Sequence, residues 1–314
     1  MTSYLLTIVV LVAIAAIVGL ALNFQWGLGG MVNFGLGGFY MLGAYVCALL
    51  ATAGTHPILA MMWAMVTCAS ACMLVSLISL RLSEDYLAIV TLGFAECVHL
   101  IVLNEAWLTN GALGVPGIPQ PFFELIGSAA YPGFFAIASL VVLALIYLLF
   151  ERITRSPFGR ALRAVREDPI VASTLGKRVW WLRMRAFGLG GIAIGAAGAL
   201  HSFYYTYIDP AQFGPIITAY AFMAVIAGGR GSHRGLLLGA GSVMVLLEGT
   251  RFLKDWVPFL DAGQLAALRL VLIGVGLVLL LIYRPQGLRS EYRLSTRGKA
   301  DGSVTEAMAA NLAP

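Results

Sequence analysis

The chain has 314 residues, of which 60% are hydrophobic and only 11% are charged, and its mean hydropathy is +0.88. This composition excludes an ordinary soluble globular protein, in which about 25% of residues are charged. The formal net charge of +5 comes from loops and from the C-terminal tail. Nucleic-acid binding is therefore a poor explanation for the charge, and retention of basic loops in the cytoplasm is a good one.

Apolar runs of about 18 to 22 residues recur along the chain, and each is long enough to cross a bilayer as a helix. We therefore predict an all-α polytopic membrane protein with about 8–10 transmembrane helices. The cysteines fall inside apolar segments, where we expect packing roles and no disulfides. In chain order, the runs predict spans near 4–23, 36–54, 57–80, 86–104, 133–150, 182–201, 215–229, 235–253 and 265–283.

Positive charge predicts how these spans are oriented. Nine of the 20 Lys and Arg residues lie between residues 151 and 185, around the interruption between the fifth and sixth spans. The tail, 287–314, is also basic, and four spans separate it from that interruption, so both can lie in the cytoplasm. The same count places the N-terminus outside, together with the 105–132 loop, which has no Lys or Arg.

The segment from Gly27 to Gly43 is dense in glycine at membrane depth. One interpretation is close packing, because small residues let helices approach one another. The other is an interrupted helix along the route of the solute, since irregular backbone in a membrane must pack against protein or face water. Gly29, Gly30 and Asn33 would then lie on the translocation path. The two interpretations are compatible.

Three ionisable residues fall inside apolar spans: Glu96 and His99 in the fourth, and Glu248 in the eighth. Such groups are costly in lipid and tend to face the protein interior. We expect them to be satisfied by hydrogen bonds between helices. Glu96 is also a candidate for the translocation path, and a proton relay through all three residues is the alternative.

The basic interruption, about 151–181, has its own helix signals. Ser156 can cap a helix and Pro157 suits its first turn, which predicts a short helix up to Asp168. Asp168 can cap a second short helix that Gly176 ends. Along the first helix, basic side chains recur every three residues at Arg160, Arg163 and Arg166, so they lie along one side. We interpret the pair as a docking element for a soluble partner; the alternative is a basic amphipathic stretch resting on anionic lipid.

The motifs of common enzymes are missing from the sequence. No Gly-x-x-x-x-Gly-Lys-Ser/Thr phosphate loop occurs, and Gly228-Gly-Arg-Gly-Ser-His-Arg-Gly lacks both its spacing and its lysine. There is no His-Glu-x-x-His helix and no Gly-x-Ser-x-Gly elbow either. We therefore predict a transport subunit that is not an enzyme and does not hydrolyse ATP itself.

Several stretches, in this order, resemble the M-type permease subunits of branched-chain amino acid ABC importers. The resemblance covers about residues 20–285. Its most specific part is the Arg-Ala-Val-Arg-Glu-Asp segment in the basic interruption. The matching stretches are Asn23–Tyr45, Asp85-Tyr-Leu-Ala-Ile-Val-Thr-Leu-Gly-Phe-Ala-Glu, Asn110-Gly-Ala-Leu-Gly-Val-Pro-Gly-Ile-Pro, Ser156-Pro-Phe-Gly-Arg-Ala-Leu-Arg-Ala-Val-Arg-Glu-Asp and Ala224-Val-Ile-Ala-Gly-Gly-Arg-Gly-Ser.

The resemblance implies a multi-pass protein of the bacterial inner membrane, with a permease domain at 1–286 and a cytoplasmic tail at 287–314. It implies half of a translocation path, completed by a second, H-type permease subunit. Two cytoplasmic ATPases would bind ATP and Mg²⁺, a periplasmic binding protein would deliver the solute, and this chain would hold no cofactor or metal. The membrane lipid is its surroundings, and nucleic acid is not a partner.

In that family, Gly159–Gly176 corresponds to the loop that couples the permease to the ATPase. The resemblance thus assigns coupling to Gly159, Arg160, Arg163, Arg166, Glu167, Asp168 and Gly176. Charge-assisted hydrogen bonds from the arginines could keep this contact through the transport cycle. We accordingly expect Arg163→Glu to uncouple ATP hydrolysis from transport.

The chain departs from the family pattern at two loops. Arg230 stands where an apolar residue is usual, and Arg234 adds further charge, so additional contacts with the ATPase or lipid are expected there. Thr109-Asn110 replaces a pair of loop glycines. The resemblance places the outer gate at this loop, so the second change affects the expected gate and with it the substrate.

A path with few fixed charges fits leucine, isoleucine or valine, and relatives of the same build carry urea, short amides or aromatic acids. The sequence does not distinguish these solutes, nor a heterodimer from a homodimer. A proton-coupled carrier or channel using Glu96, His99 and Glu248 is the alternative from another class. A structural scaffold would leave the basic insert and the Gly-rich span without a role.

Overall fold

The computed structural model describes residues 2–78 and 84–256, together with residues 271, 274–276, 278, 282–283 and 287–288. Apart from these last few positions, the ninth predicted span and the predicted tail lie outside the described residues. Within the described part the regular structure is helical, and the one β-type pairing is an isolated bridge between Val115 and Ile208.

The helices follow the apolar runs and the basic insert. They are α1 (Thr2–Leu22), which continues as a π-helix (Asn23–Leu28), α2 (Leu36–Thr52), α3 (Pro57–Ile78), α4 (Glu84–Asn104), α5 (Ala106–Thr109), α6 (Phe123–Ile126), α7 (Tyr131–Arg155), α8 (Pro157–Glu167), α9 (Pro169–Thr174), α10 (Val179–Tyr205), α11 (Ile216–Gly228) and α12 (His233–Trp256). Two short 3₁₀ turns, Gly111–Leu113 and Pro210–Phe213, lie in the connections.

Six of the described segments are long and apolar enough to cross a membrane, and α2 is a shorter apolar helix of 17 residues. The prediction of an all-α polytopic membrane protein is confirmed. The first eight predicted spans all coincide with helices, although several helices run further than predicted. The fifth span, predicted as 133–150, is α7 and continues to Arg155 because Glu151 and Arg155 pair one turn apart at its end.

Helix α10 forms the centre of the fold, and 89% of its apolar 18-residue stretch is buried. Small residues make this possible. A methyl group at Gly195 would lie within 2.6 Å of the Ala64 carbonyl oxygen, and one at Gly43 within 2.9 Å of the Gly195 Cα. The backbones of α2, α3 and α10 therefore approach closely, as the packing interpretation of the glycine-rich segment predicted.

Helix α1 packs against α7, α10 and α12. At its far end the Phe24 and Phe150 rings stack with centroids 4.5 Å apart, which fixes the end of α1 against the end of α7. This contact joins α1 to α7 on the side from which α8 and α9 project.

The 105–132 loop folds back onto the segment after α10. The Val115 amide donates to the Ile208 carbonyl over 2.9 Å, and the Ile118 amide donates to the Thr206 carbonyl over 2.9 Å. Asn110 takes a left-handed conformation with φ +62°, and its side-chain amide donates to the Gly114 carbonyl. Asparagine tolerates this conformation better than most residues, so Asn110 fits the loop at this position.

Candidate coupling site and translocation path

The interruption predicted near residue 30 is present. The π-helix ends at Leu28, residues 29–35 are not helical, and α2 begins at Leu36. Gly30 has φ +72°, a conformation that costs a residue with a side chain roughly 1–2 kcal/mol. Both Gly29 and Gly30 are buried. The break is thus built into the chain, and it coexists with the close packing further along α2.

Asn33 lies in this break and is fully buried. Its side-chain amide donates to Gln25 Oε1 over 2.9 Å, and its Oδ1 accepts a hydrogen bond from the Gly35 amide over 3.0 Å. Gln25 in turn donates to the Phe187 carbonyl of α10 over 3.0 Å. Asn33 therefore holds the non-helical segment to the π-helix and to α10. Its predicted place on the translocation path stays a prediction.

The π-helix also anchors the connection between α11 and α12. Asn23 Oδ1 accepts from the Gly231 amide over 2.8 Å, and its side-chain nitrogen lies 3.2 Å from His233 Nδ1. His233 Nε2 is 2.9 Å from the Thr154 hydroxyl of α7. We call Asn23, Gln25, Thr154 and His233 the inner polar cluster. Because Asn23, Gln25 and His233 are buried, each of these bonds is costly to break.

Sequence reasoning did not assign the inner polar cluster. The available signal is the pair Asn23 and Gln25 at the end of a long apolar run, where a buried amide requires a partner. The sequence also did not assign a contact for Arg230 within the chain. Its guanidinium lies over the Trp26 ring, 4.7 Å from the ring centroid. This charge, for which contacts with the ATPase or lipid were expected, thus contacts the π-helix of the same chain.

The basic insert forms the two predicted short helices. Ser156 is the N-cap of α8, although its hydroxyl bonds the Ile153 carbonyl instead of a helix amide. Asp168 caps α9 by accepting from the amides of Ile170 and Val171. Gly176 follows the end of α9 with φ +76°.

Gly159 brings α8 against α7. A Cβ at this position would lie 2.3 Å from the Thr154 carbonyl oxygen and 2.6 Å from that of Ile153. These distances are shorter than any contact between such atoms, so only glycine fits without a shift. Gly159 therefore sets the distance between the insert and the spans.

The three arginines of α8 are not equivalent. Arg160 is exposed, whereas Arg163 and Arg166 are partly buried. Arg163 donates to the Thr154 carbonyl over 2.9 Å, and Arg166 donates to the Gly27 carbonyl of the π-helix. Arg166 also pairs with Glu167 over 2.8 Å. Arg160 donates to the Arg155 carbonyl over 3.4 Å, so all three predicted coupling arginines bind backbone carbonyls of the same chain.

Helix α9 projects apolar side chains instead. Ile170 and Leu175 are each 74% exposed and Val171 is 52% exposed. Glu167 and Asp168, between the helices, are exposed as well. The insert therefore has an inner side of arginines bonded to the spans and an outer tip that is apolar.

Glu96 and His99 lie together on α4, away from the inner polar cluster. They line a cavity of about 120 Å³ with Gly37 and Gly38 at the start of α2 and Thr218 in α11. Glu96 is exposed in the single chain and His99 is partly buried. Glu248 is elsewhere, where Tyr4 donates to it over 3.3 Å. The hydrogen bond expected between helices is thus present for Glu248.

A second, larger cavity of about 260 Å³ lies between α1, α11 and α12, and its lining is mostly apolar. Tyr40 and His201 stand at its edge, where the Tyr40 hydroxyl is 2.8 Å from His201 Nδ1. His201 Nε2 is 3.1 Å from Gln212 Oε1. Both imidazole nitrogens are therefore engaged within the chain. In the described part of the chain, no three His, Cys, Asp or Glu side chains could hold a metal ion together.

The chain is similar to known branched-chain amino acid transport permeases. The family model for the permease component of branched-chain amino acid transport systems matches residues 4–281. The chain is 32% identical to the high-affinity branched-chain amino acid permease protein LivM of Escherichia coli K12, over 90% of this chain and 69% of that protein. It is 35% identical to the probable LivM of Methanocaldococcus jannaschii, over 69% of this chain and 64% of that protein.

The chain is also similar to branched-chain amino acid transport permease proteins named LivH. It is 26% identical to the LivH protein of Salmonella typhimurium, over 82% of this chain and 88% of that protein. No solved structure matches the chain significantly. With a family match across nearly all of the membrane-spanning sequence, the chain belongs to the family of permease components of branched-chain amino acid transport systems.

Proposed function

We propose that this chain is one of two permease subunits of an ATP-driven importer for leucine, isoleucine and valine. The observation that carries the proposal is the α8–α9 insert, which has an apolar tip on one side and is bonded to the spans on the other. An element that only rested on anionic lipid would not require these bonds between its arginines and the backbone of the spans. The LivM relatives, which are named as branched-chain amino acid permeases, support the substrate class.

The tip of α9 is the part that docks on a cytoplasmic ATPase. Exposed Ile170, Val171 and Leu175 would be buried in a groove of that partner, which removes apolar surface from water. Exposed Glu167 and Asp168 directly precede α9 and would give charged contacts at the rim of the tip, while exposed Arg160 lies in the first turn of α8. Two ATPase subunits bind ATP and Mg²⁺, and this chain supplies no nucleotide site.

Helix α8 transmits the movement of the docked tip into the membrane. Arg163 holds α8 to the end of α7, and Arg166 holds it to the π-helix after α1. Charge-assisted bonds of this kind are stronger than neutral ones and persist as the element moves. ATPase closure that displaces α9 therefore pulls on α7 and on the π-helix together.

The π-helix passes the displacement to the interrupted segment. Gln25 is bonded to Asn33 and to the Phe187 carbonyl, so a movement of the π-helix reaches residues 29–35 and α10. Residues 29–35 lead directly into α2, whose first turn lines the cavity beside Glu96. A non-helical connection can absorb changes of dihedral angle while the packed helices move as rigid bodies.

The tail is proposed to lie on the same cytoplasmic side. The Leu288 amide donates to the Ala227 carbonyl over 2.9 Å, which places the start of the tail at the end of α11. Arg230, three residues further along the chain from Ala227, lies over Trp26 of the π-helix. The end of α11, the start of the tail and the π-helix therefore share one side of the bundle.

A proton-coupled carrier is the competing function. It needs titratable groups that exchange protons along one route, yet Tyr4 donates to Glu248 at one site while Glu96 lines the cavity beside α2 and α11. In that scheme the α8–α9 insert would only rest on anionic lipid, and its bonds to the spans would have no part in transport. We therefore place the ATP-driven function first.

The test is stimulation of ATP hydrolysis in the assembled complex. The chain would be purified in nanodiscs with a LivH-like permease, two ATPases and the cognate binding protein from the same cell. We expect hydrolysis to rise when the binding protein is loaded with leucine, isoleucine or valine, and not with urea, a short amide or benzoate. Stimulation by one of these other solutes alone would reject the proposed substrate, and failure of the ATPases to copurify would reject the coupled function.

A further inference from the structure

Three of the described spans have broad faces that no other described element covers. On α3 the exposed residues include Met62, Trp63 and Leu74, and on α7 they include Ile137, Leu145 and Leu148. The exposed Ser70 hydroxyl of α3 bonds the Val66 carbonyl of its own helix. Both faces are thus apolar or satisfied within the helix, and both suit contact with lipid.

The third face, on α4, has a different composition. Glu96 is exposed there, with Gly93, Cys97 and Leu100 beside it on the same side of the helix. Glu96 lies near the middle of the 19-residue span Tyr86–Asn104. In the described part of the chain, no side chain forms a hydrogen bond with its carboxylate. A carboxyl group at the centre of a membrane-spanning helix is costly against lipid, so this face is a poor fit to hydrocarbon.

The backbone beside this face is also unsuited to lipid. The cavity next to Glu96 is bounded by the first turn of α2 and by Phe213, Gly214 and Pro215, which precede α11. The Gly37 amide donates to the Thr218 hydroxyl over 3.1 Å, so the two helix starts meet here. Irregular backbone within a membrane protein is tolerated where protein covers it or where it lines a water-filled cavity.

We propose that the α4 face formed by Gly93, Glu96, Cys97 and Leu100 packs against the second permease subunit, and that the cavity opens into the path the two subunits enclose. The inference rests on the proposed function and specifies which side of the chain meets the partner. The faces of α3 and α7 then contact lipid. Gly93 has open space around the position of a Cβ, which leaves room for a partner helix to approach closely.

The partner itself is a permease of the same family. Its LivH-like relatives align with most of this chain, so it presents a helix equivalent to α4. Two subunits of one fold associate most simply about a two-fold axis, with equivalent faces in contact. The Glu96 face of this chain therefore packs against the corresponding face of the partner, beside the path.

Cys97 is a native probe of this face. It is exposed, whereas Cys47, Cys68 and Cys72 are buried. Single cysteines would be placed in the partner at the positions aligned with 93, 96, 97 and 100, and the assembled transporter treated with a short bifunctional maleimide. The matched controls are Cys97→Ser alone, and Cys97→Ser combined with Leu145→Cys on the α7 face.

We expect Cys97 to cross-link to at least one partner position, with no product from Cys97→Ser or from the cysteine at position 145. Cross-linking is scored only in complexes that show ATP-dependent uptake of leucine, which separates the two hypotheses. An active complex that cross-links from position 145 but not from Cys97 overturns the assigned face. A chain that forms no active complex with a related permease overturns the proposed function and this inference with it.

A second readout tests the carboxylate directly. If the α4 face met lipid, Glu96→Leu would leave transport unchanged and raise the thermal stability of the chain. We expect instead that Glu96→Leu lowers leucine uptake severalfold while the two permeases still copurify, and that Glu96→Gln retains more uptake because it keeps a polar group in the path. Full uptake by Glu96→Leu would show that this face lies against lipid.

Discussion

Individual residues determine how closely the α8–α9 insert is joined to the spans. Gly159 permits contact between α8 and α7, while Arg163 and Arg166 bond α8 to backbone carbonyls of the spans. The three-residue spacing of the arginines predicted that they share one side of α8. It could not predict that this side faces the permease, because a single sequence does not show what a helix packs against.

Gly159 gives the clearest steric prediction. Gly159→Ala places a methyl group 2.3 Å from the Thr154 carbonyl oxygen, so α8 must shift, at a cost of about 1–3 kcal/mol. We expect a lower thermal unfolding temperature and reduced transport. The matched control is Gly133→Ala in α7, where a Cβ meets open space and the better helix propensity of alanine is neutral or stabilising. Equal effects of the two substitutions would argue against the tight contact.

Arg166 gives a prediction about coupling. Arg166→Ala removes the bond to the Gly27 carbonyl, so a displacement of α9 no longer reaches the π-helix. We expect ATP hydrolysis to continue while leucine transported per ATP falls, as measured in proteoliposomes. Arg152→Ala is the control, since Arg152 is exposed at the end of α7 and its loss changes the net charge equally. Unchanged stoichiometry in Arg166→Ala would show that coupling does not pass through this bond.

The structure also changes the interpretation of Arg163→Glu. The substitution removes the bond to Thr154 and brings a carboxylate near that carbonyl oxygen. Uncoupling remains the expected result. Its cause would be separation of α8 from α7 within the permease, in addition to any lost contact with the ATPase.

At the scale of elements, local signals predicted the two short helices of the insert. Asp168 caps α9 as its position before Pro169 suggested, and Gly176 follows with a positive φ. The break after α1 was also predicted from glycine density. The π-helix that precedes it was not, because its hydrogen bonds to α8, α10 and the loop before α12 depend on residues far away in the sequence.

The apolar tip of α9 gives the prediction at this scale. Leu175→Asp adds a charge to a side chain that is 74% exposed, so it should leave the permease folded and prevent burial in the ATPase groove. We expect loss of ATPase copurification with an unchanged amount of permease in the membrane. Leu175→Met keeps volume and polarity and serves as the control. Normal copurification of Leu175→Asp would place the docking contact elsewhere.

At the scale of the whole molecule, apolar run length predicted eight of the nine spans at positions where the described residues form helices, and the ninth falls largely outside them. The many glycines and alanines of α10 indicate close packing, but its central position was not predicted, since only the assembled bundle shows which span lies at the centre. The contrast between the apolar faces of α3 and α7 and the Glu96 face of α4 likewise required the three-dimensional arrangement.

The measurement that tests the central claim most directly is uptake of radiolabelled leucine into proteoliposomes that hold this chain, a LivH-like permease and two ATPases, with binding protein outside. Internal ATP would be present, absent or replaced by a non-hydrolysable analogue. We predict uptake only when hydrolysable ATP is present inside the proteoliposomes. We predict no uptake when a Walker-motif lysine of both ATPases is substituted. Equal uptake without ATP, or uptake driven by an imposed proton gradient, would contradict an ATP-driven permease and favour a carrier or channel.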